Sequence, residues 1–421
     1  MSGHPMERRN LSRRQFLHRA GGAAIAVPSL AALLAACAKP GTTGGDGSTG
    51  PVQVAKPGDP VTLPMNGVEP IPTNTPIEAG ATLQVYNWAD YFYKGTLADF
   101  EDKFDVTLEL TTFNNMEEGI QKLVAGQVKP DVFFPTTDYI TRLAQTKAIQ
   151  PLNHDLLPNM TEVVWPAFSD PGPWYDQGWL YTVPYVIYTT GVGFRRDRVE
   201  DSRAAEEQYD LLWNPEFTGK VSYYDSYRDA LGMAMLRNGD LDPNTGDPVV
   251  INRARDAVEE ILSDLQGKLT INGAYAKLPE GEYTVAQAWS GDMVGAQWYL
   301  PKGTGAEVLG YWFPDDNVGL IGNDTMAIPS TSQNPRLAHE FINFMLDAKY
   351  GYENFRDYVG YQPPFTTIDP DKLISDGVVP EGLNRAVITE DMFTKGYVQG
   401  QLTAEVEDLW LDAWAEIQAG G

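Results

Sequence analysis

The segment "LQVYNWADYF" (residues 83–92) begins as a strand, with Leu83 and Val85 alternating with polar neighbours. It ends in a crowd of rings around a carboxylate: Tyr86, Trp88, Tyr91, Phe92 and Tyr93 flank Asp90 within one strand-to-helix turn. A hydrophobic core has use for the rings but not the acid, and a solvated loop the reverse. Open α/β sheets bind ligands at the carboxyl ends of their strands. The chemistry that needs both groups is recognition of a cation that also carries apolar surface. A ring face attracts a desolvated cation by roughly 0.5–2 kcal/mol. A carboxylate offsets the cost, on the order of several kcal/mol, of taking an ammonium out of water.

Bond-making chemistry finds fewer parts. Of four histidines, His4 and His18 fall in an N-terminal address segment, and His154 and His339 stand apart from any HExxH or similar metal-ligand spacing. His339 sits on a periodic helix, as a surface or packing residue would. "AWSGD" places Ser290 after a strand but lacks the flanking glycines of a nucleophile elbow. "GTGAEVLG" carries Val308 where a dinucleotide fingerprint needs its third glycine, and no Walker loop is present. Cys37 is the sole cysteine, which rules out a disulfide within the chain. The residues predict a protein that is not an enzyme, with no cofactor and no metal. Carboxylate pairs abound, so residue types alone leave a secreted carboxylate-based hydrolase open.

The net charge of −26 disfavours nucleic acid and anionic lipid and draws cations, although solubility or a saline habitat explains it equally well. The first 37 residues add positive charge to that total, with Arg8, Arg9, Arg13, Arg14 and Arg19 against Glu7. There "SRRQFL" precedes a short Ala/Gly/Leu run that contains Pro28 and closes on "LAAC". The pairing looks like a twin-arginine signal feeding lipoprotein processing, with Cys37 as the lipidated N-terminus. An ordinary cleaved signal is the alternative. Either way the expected location is exported, at the cell surface or in the periplasm, and in the first case tethered to the membrane through lipid. Residues 38–80, rich in Gly, Pro and Thr, read as a flexible linker.

Residues 81–421 exceed one compact core and predict two lobes. "TLQVYNW", "TLADFEDKF", "VTLELTTF", "MEEGIQKLVAG", "DVFFPT" and "DYITRLAQTKAI" alternate strand and helix in the rhythm of a parallel α/β lobe. In "YTVPYVIYTTGVGFRRD" two extended runs meet, with Pro184 interrupting the first. A second αβ series follows through "VSYYD", two helical stretches (230–236 and 251–265), "YTVAQAWSGD" and "LGYWFP". "NDTMAIPS" is another extended segment. The helix "RLAHEFINFMLDA" then puts Leu337, Phe341, Phe344 and Met345 on one face, and the last helix carries Trp410 and Trp414 as core anchors.

Taken in order, "YNWADY", "PDVFFPTTDYI", "IQPLN", "YTVPYVIYTTGVGF", "LWNPEFTGKV", "AWSGD", "NDTMAIP" and "VGYQPP" resemble the bacterial spermidine/putrescine-binding proteins of polyamine ABC importers across residues 81–421. The resemblance implies an α/β fold of the two-lobe type II periplasmic-binding-protein kind, with the ligand cleft between the lobes. Its lobe 1 would span 81–190 with a return segment 324–370, and lobe 2 would span 191–323 with C-terminal helices 371–421. It also implies a small-molecule polyamine ligand, a permease with its ATPase as partners, and a monomer.

Carried over residue by residue, the resemblance places Trp88 and Tyr91 at aromatic ligand positions and Asp90 at an acidic one, with Ala89 replacing a hydroxyl residue. Thr136 takes a small hydroxyl position, and Asp138 stands where the family often has tyrosine. Asp229 matches an acidic residue that faces an amine, and Asp225 lies one place before a second, whose slot holds Ser226. Trp289 and Tyr361 are cleft aromatics. Asp324 matches the principal amine-binding aspartate, with Gly322 where a tryptophan is usual. Simpler roles compete: interlobe packing for Trp88, Trp289 and Tyr361, a helix cap for Asp225, a helix-terminus charge for Asp229. The same fold could hold another small solute, such as an amino-acid derivative, an opine or an anion. An anion site would call on Arg228 or Arg142.

Overall fold

A computed structural model gives the structure, and it describes residues 68–113, 115–168 and 181–420. The signal segment, Cys37 and residues 38–67 of the expected linker lie outside these. The last linker residues are bonded to the body: Asn153 Nδ2 donates to the Ile71 carbonyl at 2.8 Å. Ordered structure therefore starts before residue 80.

The chain opens with β1 (Thr82–Trp88), α1 (Lys94–Phe104), β2 (Thr107–Phe113), α2 (Met116–Val124) and β3 (Val132–Phe133). β1 pairs in parallel with both β2 and β3. Helix α2 begins at Asn115, whose side chain accepts from the Glu118 amide, and it places two acids in its first turn and Lys122 in its last. Val132 and Phe133 are fully buried, as an apolar run covered on both faces should be. Helix α3 (Ile140–Gln145) and β4 (Ile149–Gln150) follow.

β5 (Thr182–Arg195) is one strand of fourteen residues rather than two runs that meet, and Pro184 lies within it without ending it. Proline lacks the amide that a ladder needs. The strand absorbs it in an irregular step: Val186 faces Asp324 and Pro184 faces Thr325, so Tyr185 is left over. The chain continues through β6 (Val221–Tyr223), α4 (Tyr227–Arg237), α5 (Pro248–Ser263), β7 (Lys268–Leu269), β8 (Val285–Trp289), α6 (Ser290–Gly295) and β9 (Leu309–Trp312). β10 (Leu320–Pro329) returns antiparallel to β5 and leads into α7 (Pro335–Met345), β11 (Tyr397–Val398) and α8 (Ala404–Gly420).

The sheet order is β2-β1-β3-β10-β5-β8-β6-β7, with β4 and β11 on β10 and β9 on β5. The two long antiparallel strands thus lie between a parallel group, β1–β3, and a second group, β6–β8. Two hydrophobic cores flank them. One gathers Leu83, Phe100, Phe134, Phe341 and Phe344, and the other gathers Leu231, Val258, Trp410 and Trp414. Among the described residues no helix is long and apolar enough to cross a membrane.

The α7 terminus explains how the start of the body is tied down. Glu78 accepts from the Arg336 and Leu337 amides at 3.2 and 2.7 Å, satisfying two of the orphan donors at that helix end. Glu78→Ala should lower the unfolding free energy by about 1 kcal/mol, read by urea denaturation.

Candidate functional site

Directly opposed residues of an antiparallel pair point to the same face, and alternate residues along a strand share it. The β5–β10 pairing sets Tyr188 opposite Gly322, with Asp324 two residues along and Thr190 two residues the other way. Thr190 pairs in turn with Trp289 at the end of β8. This shared face is the floor on which the candidate residues meet.

At one end Asp324 is buried and accepts a hydrogen bond from the Tyr91 hydroxyl, and its backbone bridges to Thr136. Thr136 in turn hydrogen-bonds Asp138. At the other end Asp229, in the first turn of α4, accepts from the Trp289 indole at 2.9 Å and from Ser226 at 2.7 Å. One position thus puts the Asp229 carboxylate both in the first turn of α4 and on the Trp289 indole. The Trp289 ring stacks on Tyr224 with centroids 4.0 Å apart. Tyr361 closes the ring set, edge-on to Tyr91 at 5.5 Å. Its ring rests on Gly291, where a Cβ would come within 2.2 Å of it, so only glycine fits below.

One carboxylate escaped the sequence reading. Asp292, buried in the first turn of α6, accepts from the Tyr224 and Tyr361 hydroxyls at 2.6 and 2.7 Å. It belongs to "AWSGD", where Ser290 and Trp289 drew attention instead. Tyr188 and Tyr224 were also passed over.

Burial raises all four of these acids. It pushes Asp324 and Asp292 up to about 7, against the hydrogen bonds that favour their charged forms. Burial likewise raises Asp229 and Asp138, with Arg228 pulling both back. The acids also raise one another: Asp138 and Asp229 act on Asp324, and Asp229 on Asp292 and Asp138. Mutually repelling carboxylates held wholly or partly out of water are costly unless a cation joins them. Yet among the described residues no three His, Cys, Asp or Glu side chains converge closely enough to hold a metal ion. The charge is spread along a ring-lined floor rather than focused on a point.

Other candidates make contacts of their own. Asp90 is exposed, in a left-handed backbone conformation (φ 58°), and accepts from Tyr358 at 2.9 Å. Asp225 is exposed and meets Gln418 of α8 at 3.4 Å, and the turn before α4 is capped by neither its side chain nor that of Ser226. Trp88 is half-buried against Phe113, centroids 4.7 Å apart, with its indole N–H buried and without a partner among the described residues. Of the arginines that an anion would use, Arg142 is committed elsewhere, whereas Arg228 keeps its Nε and Nη1 buried and without a partner among the described residues. Arg142 pairs with Glu407 of α8 at 2.7 Å, and Arg228 donates to Asn244 and the Gly400 carbonyl while its guanidinium lies over Trp410. His339 is buried. Its Nε2 accepts from the Asn153 amide, so Nδ1 carries the proton toward the Pro335 carbonyl, a packing role.

An acidic, ring-lined floor on two strands that run between two α/β groups is the layout of a solute receptor. The bacterial extracellular solute-binding protein family matches residues 96–379. The chain belongs to that family. Its members bind solutes outside the cytoplasm rather than transform them. The spermidine/putrescine-binding periplasmic protein 1 of Haemophilus influenzae is 28% identical over 298 residues, 70% of this chain and 78% of that one. In fold, this chain is similar to the spermidine/putrescine ABC transporter substrate-binding protein PotD of Streptococcus pneumoniae. There the TM-score is 0.63 at 22% identity, covering 81% of this chain and 99% of the other. The AgtB binding protein of A. tumefaciens, solved with agropinic acid, has a TM-score of 0.55 at 16% identity over 81% and 98% of the chains. The architecture thus serves unlike solutes, and the side chains must decide between them.

Proposed function

We propose that this protein is the receptor of an ABC importer and binds a linear polyamine. The observation that carries the reading is the set of four carboxylates, Asp292 and Asp324 buried and Asp138 and Asp229 half-buried, which lie beside aromatic rings and, among the described residues, form no group able to hold a metal ion. A flexible methylene chain with ammonium groups at intervals fits that distribution. The rings take the methylenes and the acids take the charges. Relatives named as spermidine/putrescine-binding and putrescine-binding periplasmic proteins support the reading.

In this reading the β1–β3 and β6–β8 groups are two lobes that close on the amine, excluding water and strengthening each charge contact. Tyr91, Asp324, Thr136 and Asp138 come from one side, and Asp229, Trp289 and Asp292 from the other. Tyr361 joins them, and Trp88, Asp90 and Asp225 stand at the margin. Cys37 would carry the lipid that tethers a monomeric receptor beside its permease and ATPase.

Titration calorimetry of the purified protein against putrescine, spermidine, glucose and citrate tests the proposal. Saturable binding of an amine is expected. Binding of the sugar or the anion with no heat from either amine would overturn it.

A further inference from the structure

Among the described residues, Tyr188 is the one ring on the site's floor that no hydrogen bond holds. Its hydroxyl has no partner among the described residues, and the ring is half-buried, edge-on to Trp289 at 6.0 Å and to Tyr361 at 6.1 Å. The ring lies across its cross-strand partner. A Cβ on Gly322 would come within 2.7 Å of Cζ and of the hydroxyl oxygen. Only glycine at 322 lets the ring lie this low. Burial, then Asp324, Asp229 and Asp138, raise the phenol well above its ordinary range, so it stays neutral. A neutral aromatic group therefore occupies the middle of a field whose acids sit at either side.

We propose that Tyr188 is a specificity-determining residue that selects a ligand with charges at its ends and methylenes at its centre. This rests on the polyamine reading. A diamine lays apolar carbon across the Tyr188 ring and keeps its two ammonium groups for the flanking acids. A triamine brings a third ammonium over the ring, where the protein offers a π face and one neutral hydroxyl in place of water or a carboxylate. The ring also fills depth that a longer chain would need.

The decisive measurement is the ratio of spermidine to putrescine dissociation constants in the parent, Tyr188→Ala and Gly322→Ala. In Tyr188→Ala the ring is gone, water and a central ammonium gain room, and the ratio falls at least tenfold. In Gly322→Ala the new methyl lifts the ring into the cleft, and the ratio rises. Opposite shifts support the assignment. A ratio unchanged in either variant, or moved the same way by both, overturns it. Gly322→Ala leaves Tyr188 in place, so the inference stays testable should Tyr188→Ala not fold. A parent that binds neither amine overturns the polyamine reading and this inference with it. A parent that binds both, with variants that weaken both equally, overturns the inference alone.

Discussion

Asp324→Asn should bind a diamine a hundredfold to a few thousandfold more weakly than the parent, a loss of roughly 3–5 kcal/mol, because it strands one buried ammonium without its counter-charge. The asparagine keeps the size of the side chain and an acceptor for the Tyr91 hydroxyl, so packing and the β5–β10 pairing survive. The ligand-free protein should meanwhile melt higher than the parent at pH 8. Removing one of these four charges relieves both its own desolvation and its repulsion of Asp138 and Asp229. Calorimetry and a thermal melt on the same sample read the two effects. A variant that binds poorly and melts lower has merely been damaged. One with unchanged affinity would remove Asp324 from the site.

The opposed effects explain which parts of the site could be read from the chain. Trp289, Tyr361, Asp229 and Asp324 are legible because they sit in segments whose type and order carry the family resemblance; Trp289 ends β8, Asp229 opens α4 and Asp324 lies inside β10. Asp292 was hidden by its own motif. It follows Trp289 by three residues, but only the α6 turn reveals that it swings under Tyr224 and Tyr361. The same fold exposes Asp225, which lies one place before its family slot, and Asp90, which sits in a left-handed turn at the end of β1. Tyr188 carried no local signal at all. Its significance comes from facing Gly322, a pairing that spans 134 positions of chain and depends on the register of two strands. The register itself hinges on the leftover residue at Tyr185, whose hydroxyl donates to the Tyr91 carbonyl at 2.8 Å and accepts from Asn354. Periodicity located the strands, as it located α7 and α8. It could not say which residues of two strands would share a face.

Amine affinity should fall as pH drops below 7. The aliphatic ammonium groups of the ligand behave like lysine, near 10.4, and stay charged throughout. Asp324 and Asp292, raised to about 7 by burial, must give up their protons for the cation to pair with them. Each acid costs about 1.4 kcal/mol for every pH unit below its own value. Between pH 7.5 and 5.5 the dissociation constant should therefore rise by on the order of tenfold to several hundredfold. Binding near pH 6.5 should release protons, visible as an apparent enthalpy that changes with the ionisation enthalpy of the buffer. The stability of the ligand-free protein runs the other way. A carboxylate raised in the folded state binds more protons than in the unfolded chain, so its contribution is full below about 3.8 and is lost as pH rises through 7. His339, lowered to about 4, opposes this: its share is full above about 6.5 and is lost as pH falls through 4. Asp324→Asn separates the two, because it removes one carboxylate and leaves the imidazole in place. A binding constant flat from pH 5.5 to 7.5 would mean that neither Asp324 nor Asp292 touches the cation. A receptor built this way holds its amine in neutral surroundings and loosens its grip where acid protonates the floor of its cleft.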